Sequence, residues 1–235
     1  MAAETSIQAV LGKLDCLANP KVREAMARFA VPTDRALGIP VPVLQKLARE
    51  LGHNHRLAQQ LWHSRIHEAR HLAAMIEQPE LVTERQLERW VKDFDSWDVT
   101  DGCCFNLIAK TRFAWPKARE WSGRREEFVK RAGFALMAAL AVHDKGAPDT
   151  RFRACLPLIE RQAGDDRNFV KKAVNWALRQ IGKRNSRLNR AAIASARRIR
   201  KQETRAARWI AADALRELES DAVQRRLRAE KSSRL

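Results

Sequence analysis

The chain has 235 residues, enough for one domain or one continuous array around a single core. Its 45 Lys and Arg outnumber 28 Asp and Glu, and the net charge of +17 calls for a polyanionic partner. No run of about 18 apolar residues occurs and no basic-then-apolar leader opens the chain, so a soluble, non-exported protein is expected.

Helical periodicity runs through almost every segment, and no convincing alternating strand appears. Residues 5–17 and 21–29 read as a first short helix pair, broken at Asn19-Pro20. A turn with Pro32, Gly38, Pro40 and Pro42 follows. Helices are then predicted over 42–51, ending at Gly52, over 55–63, and over 66–77, stopping before Pro79. Thr83 opens the next helix with Gln86 three residues on, the spacing of a capping box. That helix carries Trp90 and ends near Phe94. A helix starting at Trp97 comes next, with Ser96 as its N-cap and Asp98 in its first turn, where the dipole favours a negative charge. Further helices are predicted over 114–121, 124–142, 150–163, 166–181, 187–200 and 204–219. Residues 221–235 read as a charged C-terminal tail that frays. Helices joined by short turns and recurring about every 35–40 residues predict an all-α fold. The architecture is a HEAT-like α-solenoid of antiparallel helix pairs over 1–220, a single domain with one concave face built from alternate helices.

The charge is uneven: +3 over 1–60, −1 over 61–120, +5 over 121–180 and +10 over 181–235. Arg outnumbers Lys 32 to 13, which suits forked contacts to phosphate, and a nucleic acid is the expected partner. A generally basic solvated surface is the plainer alternative. Cys16, Cys103, Cys104 and Cys155 lack metal-ligand spacing and read as reduced, small apolar residues of a cytosolic protein.

Two runs carry candidate chemistry. In SWDVTDGCCFNLI, residues 96–108, Trp97 and Asp101 are four apart and share a helix face. Cys104, Phe105 and Ile108 lie near the same direction. A carboxylate on so apolar a stripe must be paired, face a cleft, or be functional; an Asp bonded to a neighbouring helix is the plainer alternative. In RNFVKKAVNWALRQIGKRN, residues 167–185, Val170, Ala173, Val174, Ala177, Leu178 and Ile181 form the apolar side. Trp176 lies off its centre, flanked by Lys172 and Arg179. That suits stacking beside a phosphate backbone, or half-buried packing at a helix rim. Arg131 sits beside the apolar stripe of the long helix, near Phe128 and Ala135, placed either to pair with an acid or to grip phosphate. Lys183, Arg184, Arg187, Arg190, Arg197 and Arg198 are further phosphate candidates, with a solvated face as the alternative for any one of them.

HEARH, residues 67–71, matches the zinc-peptidase pattern H-E-x-x-H. On the wheel, Ile66, Ala69, Leu72, Ala73 and Ile76 point away from both histidines. A solvated helix face is therefore expected, with no metal.

The W-D-x-x-D run at Trp97–Asp101, the arginine in the next long helix and K-A-x-x-W-A-L-R around Trp176, in that order, are specific together. The chain resembles the bacterial DNA alkylation repair glycosylases of the AlkD family, most clearly over residues 40–215. That resemblance implies HEAT-like repeats, no cofactor, and a partner that is double-stranded DNA containing alkylated bases. It implies that Trp97, Asp101 and Trp176 face the lesion and that Arg131 lies near the DNA backbone. The implied reaction is monofunctional hydrolysis of the N-glycosidic bond of cationic N3- or N7-alkylated purines, with the lesion left in or near the duplex. A non-catalytic HEAT-repeat protein binding damaged or branched DNA is the alternative. A monomer without membrane association, cytoplasmic and reaching the nucleoid through DNA, completes the expectation.

Overall fold

The computed structural model describes residues 6–232, and for residues 230–232 only the backbone. Fourteen α-helices and one 3-10 turn, with no strand, make up these described residues. The chain divides into two compact units, Met1–Arg112 and Phe113–Leu235.

The first unit holds α1 (Ile7–Cys16), α2 (Pro20–Ala27), α3 (Val41–Leu51), α4 (His55–His63), α5 (His67–Ile76), α6 (Glu84–Lys92), α7 (Trp97–Asn106) and the 3-10 turn Ile108–Lys110. Short polar side chains start several of them. Ser6, Asn19, Asn54 and Thr83 each accept a backbone N–H of the first turn, satisfying donors that have no partner within the helix. Pro20 follows Asn19 at the first helical position, where its missing N–H does no harm. Gly52 ends α3 at φ 66, a conformation that favours glycine. Only half of the capping box at Thr83 forms: Thr83 Oγ1 accepts from Gln86 N, while Gln86 Nε2 turns away to Glu77 Oε2 at 2.7 Å.

α5 packs on α3, α4 and α7, and is the centre of this unit. Leu72, Ala73 and Ile76 are fully buried. Beside them Trp62 of α4 stacks on Trp90 of α6, ring centroids 4.1 Å apart and nearly parallel, with Phe94 edge-on. Such an aromatic pair adds about 0.5–1.5 kcal/mol beyond its area burial.

The second unit holds α8 (Ala114–Trp121), α9 (Glu127–His143), α10 (Asp149–Gln162), α11 (Asn168–Gly182), α12 (Ser186–Arg200), α13 (Arg205–Leu218) and α14 (Asp221–Ser232). α9 is buried continuously from Val129 to Ala141, which is why its sequence is apolar all round. α9 packs on α11 and α11 on α13, while α10 packs on α12. Helices two apart in sequence thus lie side by side and consecutive ones lie in different layers, the pattern of stacked helix pairs. Gly133 is required by close approach: a Cβ there would lie 2.3 Å from Ser122 N. The tail helix is docked through Val223 and Leu227, both buried. Residues 233–235 of the expected tail lie outside the described residues.

Candidate functional site

α7 is built on a fixed platform in the first unit. The loop before it is held by Arg70 of α5, which donates to Asp93 O at 2.9 Å and Asp95 Oδ1 at 2.6 Å. Trp62 Nε1 donates to Asp93 Oδ2 at 2.9 Å. Ser96 does not cap α7 with its hydroxyl, as the sequence suggested. Its Oγ is buried without a hydrogen-bond partner, and its carbonyl instead accepts from Thr100 Oγ1 at 2.7 Å. Asp98 takes over at the helix start, with Oδ1 accepting from Val99 N at 3.0 Å.

The other Asp98 oxygen faces two histidines. Its Oδ2 lies 2.8 Å from His67 Nε2 and 3.5 Å from His71 Nε2. Burial opposes ionisation of Asp98. Hydrogen bonds from His67 and His71, and their charge, outweigh it and hold the carboxyl well below the usual range. Asp98 is therefore more than a first-turn charge.

The expectation of a solvated HEARH face is wrong. His67, Glu68, Arg70 and His71 are all buried, because α5 is covered on every side by its neighbours. Glu68 accepts backbone N–H groups of Leu37 and Gly38 at 2.8 and 2.7 Å, and of Ile39 at 3.3 Å, closing the turn before α3. Gly102 is explained by the same packing. A Cβ there would lie 2.8 Å from His71 Nδ1, so only glycine lets α7 close on α5.

On this platform stand Trp97 and Asp101, one helical turn apart and both half-buried. Trp97 Nε1 donates to Phe29 O at 2.9 Å, which fixes the indole edge against the turn after α2. Phe29 itself is 68% exposed. Cys103 and Cys104 point into the core, and burial pushes the Cys103 thiol far up, so it is an inert packing residue.

The second unit carries the remaining candidates. Trp176 is half-buried on α11, whose apolar side, Val170 to Ile181, is fully buried as expected. Lys172, Arg187 and Arg190 are exposed. Four other expected phosphate ligands have acceptors inside the fold instead. Arg131 is buried and donates to Phe169 O at 2.7 Å, tying α9 to the start of α11. Arg179 pairs with Glu217 and Asp213, and Lys183 with Glu217 at 2.6 Å. Arg184 lies 4.3 Å over the Phe152 ring and donates to the carbonyls of Ala141, Asp144, Lys145 and Ala147. The end of a helix leaves carbonyls without N–H partners, and a forked cation is suited to collecting them. Of the remaining two, Arg197 pairs with Glu219 and Arg198 with Glu160 at exposed positions.

Residues 10–218 match the model of the DNA alkylation repair enzyme family. The chain belongs to that family. Its fold is that of the HEAT-like repeat glycosylases. A solved structure described as belonging to "a new family of proteins related to the HEAT-like repeat DNA glycosylases with affinity for branched DNA structures" superposes with a TM-score of 0.76. The match spans 91% of this chain and 96% of that one at 16% identity. No curated protein matches the chain.

Sequence reasoning missed the His67–His71–Asp98 cluster. The signal was present: two histidines one turn apart, and an acid immediately after Trp97. The helical wheel assigned them to solvent because it treats a helix as having one buried face, and α5 has no exposed one.

Proposed function

We propose that this family member is a monofunctional DNA glycosylase for cationic N3- or N7-alkylated purines in duplex DNA, working without a deep pocket for the base. The observation that carries this reading is Asp101 standing one turn from Trp97 on a helix whose start is tethered by Asp98, Arg70 and the Trp97 indole. An alkylated purine already carries positive charge and leaves without strong acid help. The protein must stabilise the cationic sugar and direct water to its anomeric carbon. One carboxylate does both, through its field and through a hydrogen bond, and Asp101 takes that role. Trp97 offers a negative ring face to the charged nucleotide. The exposed Lys172, Arg187 and Arg190 neutralise phosphates.

The deciding experiment is release of N7-methylguanine and N3-methyladenine from alkylated duplex DNA. Wild type should release at least one well above the spontaneous rate, and Asp101→Asn should not. Release of neither by wild type defeats the reading. A second reading, a non-catalytic DNA-binding protein, draws on the similar structure described as having affinity for branched DNA. It predicts no excision, and tighter binding to a four-way junction than to linear duplex of equal length.

A further inference from the structure

We propose that His67, His71 and Asp98 form a binding site for one divalent transition-metal ion of the zinc class. Three donor atoms, one from each side chain, lie within 4.8 Å of one another. Both imidazole Nε2 atoms are directed at a single oxygen, Asp98 Oδ2, at 2.8 and 3.5 Å. The other oxygen already accepts from Val99 N. Metal–ligand bonds of about 2.0–2.2 Å place tetrahedral donors about 3.3 Å apart. The two contacts to Asp98 Oδ2, at 2.8 and 3.5 Å, bracket that spacing.

The surroundings favour an ion over a plain hydrogen-bonded contact. Both histidines are at least nine-tenths buried, at 4% and 6% exposure, and their rings are inclined at 61° with centroids 5.0 Å apart. The His71 ring is held from behind: its Nδ1 lies against Gly102, where no side chain fits, so Nε2 is the nitrogen presented to the cluster. Two imidazoles and one carboxylate select a borderline-soft ion and disfavour magnesium or calcium, which want oxygen throughout.

The same motif supplies ligands and denies a peptidase mechanism. Glu68, where the general base would stand, has both carboxylate oxygens committed to the backbone N–H groups of Leu37, Gly38 and Ile39. The ion would join α5 to the first turn of α7. Its role is to fix that helix, and the proposal stands whether or not the chain excises bases.

The test uses the full chain stripped of metal with a chelator. Zinc is titrated in competition with a chromophoric chelator, and cobalt is added separately as a spectroscopic probe. One equivalent should bind, raise the melting temperature, and give cobalt a visible ligand-field spectrum without thiolate charge-transfer bands. His71→Ala and Asp98→Asn each remove a ligand and should each weaken zinc binding by about 100-fold or more, beyond the roughly 10–100-fold cost of losing an outer-shell partner, while His63→Ala and His143→Ala should not. Circular dichroism checks that the variants fold; if they do not, the wild-type cobalt spectrum decides alone. Absence of one-equivalent binding at micromolar zinc overturns the proposal. So does binding that survives in folded His71→Ala, or a cobalt spectrum dominated by cysteine.

Discussion

The two units carry different kinds of charge. Residues 1–112 hold 15 basic and 14 acidic side chains, whereas 113–235 hold 30 basic and 14 acidic. In the first unit, buried polar groups are concentrated on α5 and tether α7: Arg70 on Asp95, and His67 and His71 on Asp98. In the second, most of the excess charge lies at the surface, and the arginines that are drawn inward brace helix ends, as Arg184 does. Near-neutral charge with buried histidines suits precise placement of a single carboxylate. A large surface excess of cations suits attraction of a polyanion over distance, which salt weakens. Under the proposed function, that contrast would be a division of labour between chemistry and affinity.

That division can be broken most directly at Asp101. Asp101→Asn should lower excision of N7-methylguanine by about 100-fold or more, the scale of losing a preorganised electrostatic group. Its duplex affinity, read by fluorescence anisotropy, should stay within a few-fold of wild type. Equal loss of both would erase the distinction. Next in size is Gly133→Ala, which drives a methyl into the Ser122 backbone of the second unit. It should lower unfolding free energy by about 1–3 kcal/mol, read from the denaturant midpoint. Replacing Lys172, Arg187 and Arg190 together by Gln should flatten the salt dependence of DNA binding by about one unit for each phosphate no longer neutralised. Single-turnover excision at saturating protein should hold; a fall there would put these residues in the chemistry. The smallest effect belongs to Asp165. Its partial burial opposes ionisation, but Arg167 and Lys130 outweigh it and hold the carboxyl at about 2. Because this folded value lies below the unfolded one, the stabilisation is full above about pH 4 and vanishes as pH falls through about 2. Asp165→Asn should therefore melt below wild type at pH 6, and the gap should close near pH 2.

Helices were legible in the sequence wherever one face was apolar and the ends were marked. The helix predicted over 55–63 is found as His55–His63, since Asn54 caps it and Leu57, Ala58 and Leu61 keep to one side. The wheel of α11 places Trp176 off the core, and the structure leaves it half-buried. Legibility failed where a helix is surrounded. The polar residues of α5 cannot be told from a wet face by periodicity, because their partners arrive from α7 and from two loops distant in sequence. It failed again at Arg184, which looked like a phosphate ligand and is a brace. A cation's acceptor is a tertiary fact, and nothing local marks a carbonyl about 40 residues away as the one it will find.

The five residues that open α5 also bear on how this protein can change over evolution. Glu68 holds the turn at 37–39, Arg70 the loop at 93–95, and His67 and His71 the start of α7. Each residue added to a helix turns everything beyond it by about 100°. One inserted or deleted residue here would therefore sever three distant attachments at once, while the same change in the exposed turn at 80–81 would sever few. Related chains should accordingly vary in length at that turn and keep the spacing of α5 unchanged.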